Sequence, residues 1–394
     1  MDLDPYAYAF QADPYPTYRW LRDHAPVYHN ERLAFYALSR WRDVLEASLD
    51  PGTYSSARGT LLTDIEPELL EAVPMMIFMD PPRQTRLRKL VGKVFTPRAM
   101  AALEPEIRAL AVRLTESKRA AGGCEFVRDF AGVLPIEVIS SLLGVPAADR
   151  QTIREWTDAS LTRDPDSPAL PPAALEAHAH IRAYFTVLVA DRRKHPGEDL
   201  LSGLLGAEIE REGGGGRERL TDGEILGFAG LLSGAGNETV TKLLGNAIVL
   251  LARHPEVREL LARAPHRIPD AVEEALRYWP PSQYQGRTLT RDVELHGERL
   301  PRGARVLLLT GSACRDDREF ADADRFDIDR KIPVQLAFGH GVHKCLGAAL
   351  ARLEARVSLE EWLARIPVWA VEEAGLERVH MTSVMGFAQV PLRW

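Results

Sequence analysis

One cysteine stands where a glycine-punctuated loop gives way to a helix. Residues 336–357 read LAFGHGVHKCLGAALARLEARV, and helix-forming residues dominate from about Leu346 onward. A sulfur atom near the start of a helix faces free backbone N–H groups, which favour the thiolate of Cys345. Gly339 and Gly341 would let a flat ligand approach the backbone closely. The pattern is typical of an axial iron ligand, although a buried cysteine beside a glycine turn fits the spacing equally well.

Two histidines beside this cysteine leave a zinc site as a weaker alternative. His340, His343 and Cys345 fall close together, but a structural zinc site takes four ligands and no second cluster follows. The other cysteines, Cys124 and Cys314, show no CxxC spacing. We therefore expect no disulfide framework and interpret both as small buried side chains.

A second group of polar residues lies in the middle of an apolar segment. Residues 234–239 read GAGNET, between ILGFAGLL and LLGNAIVLL. An acid and a threonine in mid-helix are more often a surface pair, but flanks this hydrophobic predict a buried helix. Two glycines and a threonine able to bond back to a carbonyl are expected to weaken the helical ladder. Glu238 and Thr239 are therefore predicted to lie inside the protein.

The elements that position these residues are mainly helical. Thr221 and Glu224 form a capping box that opens a helix running to about Arg253. Asp80 is expected to cap another helix, with Pro81 in its first turn. Apolar periodicity predicts further helices around Met100–Lys118, Glu256–Ala264 and Ala348–Leu363.

Strand signals are few and short, which predicts small sheets on a helical body. They fall at Pro26–His29, Phe35–Leu38, Val293–Leu295, Ala304–Leu309 and Phe387–Leu392. The glycine run Glu212–Arg217 lacks the GK[ST] of a phosphate loop and is predicted to be a linker. The proline-rich segment Thr162–Ala173 is either a mobile lid or a surface loop.

The composition narrows the class of protein. A net charge of -7 over 394 residues argues against nucleic acid as the main partner. No apolar run approaches the roughly 20 residues that span a bilayer, and the first residues, MDLDPYAYAF, lack the pattern of a signal peptide. We therefore expect a cytoplasmic protein without a membrane anchor.

Taken together, these motifs resemble one known family. FGHGVHKCLG (338–347) matches the FGxGxHxCxG signature of bacterial cytochrome P450 proteins at every fixed position. GAGNET (234–239), EEALR (273–277) and DADRF (322–326) resemble three further landmarks, in the family's order and at its usual separations. The resemblance covers essentially the whole chain. It implies the mainly α cytochrome P450 fold, with a large helical body, a long central helix and small β-sheets, as a single haem-thiolate monooxygenase domain over residues 1–394.

The resemblance also assigns a cofactor and the residues that would hold it. Haem b would take Cys345 as its axial ligand, and the anionic sulfur would favour O–O cleavage of bound dioxygen. His343, Arg88 and Arg287 would pair with the haem propionates, and Gln84 stands where the family commonly has histidine. The remaining haem-binding positions implied are Phe338, Ala235, Gly236 and Gly339.

Catalytic and structural roles follow from the same resemblance. Thr239 would position dioxygen and water, and Glu238 would relay protons from the surface. Glu274 and Arg277 lie three residues apart on a helix and so share a face. The resemblance implies that these two residues and Arg325 form a buried structural clamp behind the cysteine loop.

The implied activity is insertion of one atom of O2 into a small hydrophobic substrate. The chain has no GxGxxG and no iron–sulfur cysteine cluster, so its electrons would come from a ferredoxin and an NAD(P)H-dependent reductase. The ferredoxin would dock near Cys345, on positive charge from Lys89, Lys93, Lys344 and Arg352. Two alternatives are a peroxide-driven peroxygenase, whose members generally lack the acid–alcohol pair, and a haem-binding sensor without turnover.

The substrate stays open at this level. The candidates to line a hydrophobic pocket are Ile77, Leu231, Ala235, Gln283 and Met385, for which ordinary core packing is equally compatible. Gln283 and Gln285 would offer hydrogen bonds to an oxygenated steroid, terpenoid or macrolide. A fatty acid also fits.

Overall fold

Helices form most of the molecule. The computed structural model describes residues 2–62, 65, 67–72, 74–161, 171–210 and 216–394. Its α-helices are α1 (Tyr8–Ala12), α2 (Tyr15–His24), α3 (Trp41–Leu49), α4 (Pro67–Ala72), α5 (Arg83–Val91), α6 (Pro97–Ala101), α7 (Glu104–Arg119), α8 (Leu134–Leu142), α9 (Arg150–Leu161), α10 (Pro172–Lys194), α11 (Leu200–Gly206), α12 (Asp222–Arg253), α13 (Pro255–Arg263), α14 (Ile268–Tyr278), α15 (Thr310–Ala313) and α16 (Ala348–Arg365).

The long helix α12 forms the centre of this body. Its N-terminus carries the predicted capping box: the Thr221 hydroxyl accepts from the Glu224 N–H at 3.2 Å, and the Glu224 carboxylate accepts from the Thr221 N–H at 2.9 Å. Residues 240–251 are all buried, and the helix packs against α8, α10, α14 and α16. The predicted long central helix is confirmed.

Two helix predictions need correction. The segment Met100–Lys118 forms two helices, because Pro105 cannot donate the hydrogen bond that would continue α6 and instead occupies the first turn of α7. Asp80 caps no helix. Its carboxylate accepts hydrogen bonds from the Ser55 hydroxyl and, at 2.8 Å, from the Ser56 N–H, and α5 begins only at Arg83. The helices predicted near 256–264 and 348–363 are confirmed as α13 and α16.

The strands are short and form small sheets, as predicted. They are β1 (Val27–Asn30), β2 (Phe35–Leu38), β3 (Tyr54–Ser55), β4 (Gly123–Glu125), β5 (Glu208–Glu210), β6 (Arg217–Arg219), β7 (Gln285–Leu289), β8 (Val293–Leu295), β9 (Glu298–Leu300), β10 (Arg305–Leu308), β11 (Ala370–Val371), β12 (Glu377–Arg378), β13 (Phe387–Gln389) and β14 (Pro391–Arg393).

The largest sheet has the strand order β1-β2-β10-β7-β3. Strand β10 runs parallel to β2 and antiparallel to β7. Because side chains alternate along a strand, Leu38 and Leu308 face the main core, whereas Ala37 and Leu307 face a smaller apolar cluster that includes Tyr18. The remaining strands form the sheet β11-β14-β4 and the pairs β12-β13, β5-β6 and β8-β9.

The strand predictions are confirmed near β1, β2, β8 and β10, and the predicted C-terminal strand is present as two strands. Phe387–Leu392 splits into β13 and β14, which join different sheets. Between them the Val390 N–H donates to the Glu125 carboxylate at 2.7 Å. Strand β7, which carries Arg287, was not predicted.

Two segments predicted as linker or lid fall largely outside the described residues. Of Glu212–Arg217, residues 212–215 are not described, and Arg217 begins β6. Of Thr162–Ala173, residues 162–170 are not described, and Pro172 begins α10. Within the described part of the chain, no helix combines the length and hydropathy needed to cross a membrane.

Candidate functional site

The cysteine loop is folded by its own backbone. The Cys345 N–H donates to the Phe338 carbonyl at 2.8 Å, and α16 begins three residues later, at Ala348. Gly339 and Gly341 have φ of 63° and 69°, the left-handed region that favours glycine. A Cβ on Gly341 would lie 2.3 Å from the Ser48 carbonyl oxygen. Gly341 therefore lets the loop pack on α3 and does not face a ligand. Around Gly339, the nearest described atom to an added Cβ is the His343 carbonyl oxygen of the same loop, at 4.0 Å.

A cavity separates this loop from α12. The space between its atoms is about 1730 Å³, with the open solvent at its mouth included. Eight of the residues predicted to hold a cofactor line it, namely Arg88, Ala235, Gly236, Arg287, Phe338, Gly339, His343 and Cys345. Thr239 also lines it. The structure therefore brings the two sequence motifs together on opposite walls of one chamber.

The Cys345 side chain is accessible from the cavity although protein surrounds it. Burial raises its pKa, and the Gly347 N–H, Arg88 and Arg352 oppose this effect only in part. The predicted effect of the helix start is present, because the Gly347 N–H lowers the pKa, but desolvation outweighs it. A cation bound to the sulfur would remove the proton, since a coordinating thiol is deprotonated by its metal.

Beside the cysteine lie two cationic side chains, of which Arg287 is buried and Arg88 is half-buried. Burial lowers the pKa of Arg287 to about 10, and the Arg287 guanidinium donates to the Gly286 carbonyl at 2.7 Å. Burial also lowers the pKa of Arg88. Among the described residues, neither Arg287 nor Arg88 has a carboxylate within ion-pair distance. Asp80 offsets the effect of burial on Arg287 only in part, so the two guanidinium groups remain able to bind carboxylates.

His343 completes this group in its neutral form. Burial, followed by the charges of Arg287 and Arg88, lowers the pKa of His343 to about 4. Its Nε2 lies 3.3 Å from the Ser56 hydroxyl oxygen. A neutral imidazole has a single N–H, which His343 donates either to the Met79 carbonyl or to an anionic ligand at this wall.

Gln84 does not belong to the cavity wall. The side chain is fully buried, and its Nε2 donates to the Val342 carbonyl at 2.6 Å. The side-chain amide is thus used to tie α5 to the cysteine loop. Its predicted role as a cofactor ligand is corrected to a structural one.

The acid–alcohol pair of α12 divides between two sides of the helix. The Thr239 hydroxyl donates back to the Ala235 carbonyl at 2.9 Å, as predicted, but the helix continues unbroken through residues 234–239. Glu238 does not line the cavity. Successive helical side chains point about 100° apart, and Glu238 faces a separate polar recess, where its carboxylate lies 3.3 Å from the Lys242 ammonium.

The predicted clamp is present with one different member. The Arg277 guanidinium donates twice to the Glu274 carboxylate, at 2.7 Å each, and both side chains are buried. Arg325 contributes only its backbone carbonyl, 3.1 Å from Arg277, and its side chain is exposed. The second cation at Glu274 is Arg330, at 3.4 Å. The next acid along, Glu273, binds Arg352 of α16.

The candidate substrate-lining residues fall into two groups. Ile77, Leu231 and Ala235 line the cavity. Gln283 and Met385 do not, and the Gln283 amide donates instead to the Pro280 carbonyl at 2.7 Å. Other lining residues gave no sequence signal, because they lie on elements far apart in the chain, among them Val44, Ser48, Phe95, Ile139, Phe228 and Thr310.

The surroundings of the remaining candidates bear on the zinc alternative and on the two other cysteines. In the part of the chain that the structure describes, no group of three or more His, Cys, Asp or Glu side chains could hold a metal ion, which counts against the zinc alternative. Cys314 is buried, as predicted, and Cys124 is only partly buried. Burial raises the pKa of both thiols to about 12, which is consistent with inert side chains.

The basic side chains near the cysteine loop differ in how they are engaged. Lys89, Lys93 and Lys344 are exposed. Arg352 is half-buried, binds Glu273 and stacks 4.5 Å from the centre of the Phe338 ring. Its charge is therefore partly compensated within the protein.

Comparisons with known proteins agree with this geometry. A family model described as cytochrome P450 matches residues 268–391. Cytochrome P450 123 of Mycobacterium tuberculosis is 44% identical over 393 residues, which is 99% of this chain and 96% of that protein. The vitamin D(3) 25-hydroxylase of Pseudonocardia autotrophica is 38% identical over 399 residues, 99% of this chain and 96% of that protein.

Solved structures give the same result. A cytochrome P450 from Chondromyces apiculatus superposes with a TM-score of 0.89 at 36% identity, covering 100% of this chain and 98% of the other. One from Bacillus megaterium, in complex with corticosterone, gives a TM-score of 0.87 at 33% identity and covers 98% of this chain and 99% of the other.

Fold and site together thus define a monooxygenase of the cysteine-ligated haem class. The chain belongs to the cytochrome P450 family.

Proposed function

We propose that the protein uses haem b, bound through Cys345, to insert one atom of O2 into a small hydrophobic molecule. The observation that carries this proposal is the pairing of an accessible cysteine sulfur with two arginines, the buried Arg287 and the half-buried Arg88, neither of which has a carboxylate within ion-pair distance among the described residues. A flat ligand with an electrophilic centre and two carboxylates satisfies both features. The proposal takes residues 1–394 as one domain, since the large sheet contributes to both apolar clusters.

The residues of the cavity fit such a cofactor. Cys345 would hold the iron, Arg88, Arg287 and His343 would hold the propionates, and Gly339 would lie against the ring. When bound, the haem supplies the redox chemistry that activates dioxygen with two electrons and two protons. The protein supplies the anionic ligand, the charge that neutralises the propionates and a largely apolar wall that excludes water.

Thr239 is proposed to hold dioxygen and water at the α12 wall. Its hydroxyl lies in the cavity and already donates to Ala235, so its oxygen remains available as an acceptor for a second polar group. Glu238, on the neighbouring face, is proposed to bring protons from outside. Retention of both residues favours oxygen chemistry driven by a reductase over peroxide-driven chemistry.

The substrate is proposed to be a largely apolar molecule with an oxygen function. Apolar side chains such as Ile77, Ile139 and Leu231 form most of the cavity's exposed wall. A polar contact is available at the Ser282–Gln285 pair, whose side chains are 2.7 Å apart. Relatives named for vitamin D(3) hydroxylation and crystallised with corticosterone support a steroid-like substrate, so vitamin D3 and corticosterone are the first probes. Terpenoids, macrolides and fatty acids are the next.

A ferredoxin and its NAD(P)H-dependent reductase are proposed as electron donors. The exposed Lys93 and Lys344 near the cysteine loop would attract an acidic partner. Lys344→Glu and Lys93→Glu should slow reduction by ferredoxin at low salt, whereas Lys194→Glu at the end of α10 should not. Equal rates of reduction by ferredoxin in all three variants would show that the ferredoxin does not dock on this face.

The proposed activity is tested by measuring how much product and how much hydrogen peroxide Thr239→Ala forms for each NAD(P)H consumed. We expect less product and more hydrogen peroxide for each NAD(P)H consumed, because the hydroxyl that positions dioxygen and water is lost. The matched control is Ser233→Ala, six residues earlier on α12, whose buried hydroxyl likewise donates back to a carbonyl of the helix, that of Ala229 at 2.9 Å. Unchanged coupling in Thr239→Ala would refute the assigned role.

A further inference from the structure

The chain leaves the edge of the largest sheet after β3 and rejoins it a few residues later. Strand β3 pairs with β7 as far as Ser55, and residues 56–59 then loop away from the sheet. The chain returns at Thr60, whose carbonyl accepts a hydrogen bond from the Gly286 N–H of β7 at 2.7 Å. We call residues 56–61 the edge segment.

The loop of the edge segment lies beside side chains that are proposed to hold the haem propionates. The Ser56 N–H donates to the Asp80 carboxylate at 2.8 Å, and the Ser56 hydroxyl oxygen lies 3.3 Å from the His343 Nε2. Arg287 is 6% exposed, and Asp80 is near enough to raise its pKa. The edge segment therefore contributes to the surroundings that keep Arg287 away from water.

The returning end of the edge segment is held by an arginine of β10. The Arg305 Nε donates to the Leu61 carbonyl at 2.8 Å, and its Nη2 donates to the same oxygen. Its Nη1 donates to the Thr288 hydroxyl at 3.0 Å. Because β7 lies between β10 and the sheet edge, the Arg305 side chain crosses β7 to reach Leu61. Arg305 is itself buried.

A glycine of β7 makes this crossing possible. A Cβ on Gly286 would lie 2.4 Å from the Leu61 carbonyl oxygen and 3.0 Å from the Arg305 Nη2. Side chains alternate along a strand, so this contact lies on the face of β7 opposite to Gln285 and Arg287, which line the cavity. Arg305 therefore acts on the edge segment from the far side of the sheet.

We propose that Arg305 is a positioning residue for haem retention, which fixes Leu61 and thereby holds the edge segment where it keeps Arg287 dry. This inference rests on the function proposed above, in which Arg287 would pair with a propionate. The attraction between a guanidinium and a carboxylate is much stronger in a dry environment than in water, and salt screens an exposed pair far more than a buried one. Release of Leu61 lets water reach Arg287 and weakens its hold on the cofactor.

The test measures how fast the haem-loaded enzyme loses haem to an excess of apomyoglobin. Arg305→Met keeps the length of the stem and removes the donors to Leu61. Haem loss should be about tenfold faster than in the wild type at low salt, because hydrogen bonds from a charged donor are lost. The difference should grow as salt is added, because the pair made by Arg287 is then screened, whereas haem loss from the wild type should change little with salt.

Three further variants separate positioning from a general loss of stability. Arg305→Lys keeps a donor for Leu61 and should lose haem at close to the wild-type rate. Gly286→Ala keeps the arginine but displaces the Leu61 carbonyl, and should behave as Arg305→Met does. The control is Arg291→Met, which removes a bond from Nε to the Thr53 hydroxyl at 2.8 Å, before the edge segment begins. Its haem loss should match the wild type at every salt concentration.

The rate of haem loss and its dependence on salt decide the inference together. It is overturned if Arg305→Met loses haem at the wild-type rate, if its faster loss has the salt dependence of the wild type, or if Arg305→Lys loses haem as fast. Should Arg305→Met fail to fold, Gly286→Ala is judged by the same two readouts. A failure of the proposed function looks different, because the wild type itself would then bind no haem through Cys345.

Discussion

The buried clamp on α14 gives the sharpest stability prediction. In the folded protein the Glu274 carboxylate accepts two bonds from Arg277 and one from the Asp327 N–H, and Arg330 approaches it as well. Glu274→Gln keeps the shape and removes the charge. The new amide then points N–H groups at the Arg277 guanidinium, which has only donors to offer.

The size of the expected loss of stability follows from the burial of the ion pair. Both Glu274 and Arg277 are at most 1% exposed, and breaking a buried pair by removing one partner costs about 3–5 kcal/mol, because the other charge is left uncompensated. The backbone carbonyls of Cys314 and Ala323 still accept from Arg277, which holds the expected loss near the lower end. A loss of about 3 kcal/mol lowers the folding constant more than a hundredfold.

The assay is urea unfolding of Glu274→Gln beside Asp270→Asn. Asp270 lies four residues earlier on α14 and pairs with Arg267 at the surface, at 2.6 Å, with its side chain 52% exposed. Removal of this exposed carboxylate should change the midpoint far less. Equal losses in the two variants, or a negligible loss in Glu274→Gln, would refute the account of the clamp.

Three further predictions concern the cavity wall, the cysteine loop and α12. Burial raises the pKa of Glu354 well above its ordinary value, so the folded state keeps its proton where the unfolded chain has released it. The resulting cost grows as pH rises above the unfolded pKa, and Glu354→Gln should raise the urea midpoint at about pH 8 and change it little at about pH 4. Gly341→Ala should destabilise by at least about 2 kcal/mol, because its backbone is left-handed and the new Cβ would clash with Ser48. The control is Gly206→Ala at the end of α11, where nothing lies within 4 Å. Equal urea midpoints for the two variants would contradict the packing argument. Thr221→Ala should cost about 0.5–2 kcal/mol through the lost cap of α12, measured as a shift in thermal midpoint, and no shift would show that the cap is dispensable.

Local sequence patterns predicted the helical frame well, because local rules determine it. The capping box at Thr221 and the apolar length of α12 depend only on neighbours in sequence, and both were read correctly. The predictions were wrong where a residue distant in the sequence takes the hydrogen-bonding group that a local rule assigns to a neighbour. Asp80 has the chemistry of a helix cap, but Ser55 and Ser56 take its carboxylate.

In the candidate site, too, features that depend on sequence neighbours were predicted and those that depend on distant residues were not. Cys345 and Thr239 could be chosen from motifs, since each motif is continuous in sequence. The direction in which Glu238 faces could not, because it depends on which face of α12 borders the cavity. An acid and a lysine four residues apart were nevertheless a local signal that could have been used. Arg330 was missed in favour of Arg325 because both stand in one loop and only tertiary contacts distinguish them.

The central claim is that the Cys345 sulfur bonds directly to haem iron. The most direct measurement is the absorption spectrum of the reduced, carbon monoxide-bound protein, recorded for the wild type and for Cys345→Ser. The account predicts a red-shifted Soret band in the wild type that is lost in the variant. A wild-type spectrum without that band, or a band that persists in Cys345→Ser, would contradict thiolate ligation and the function built on it.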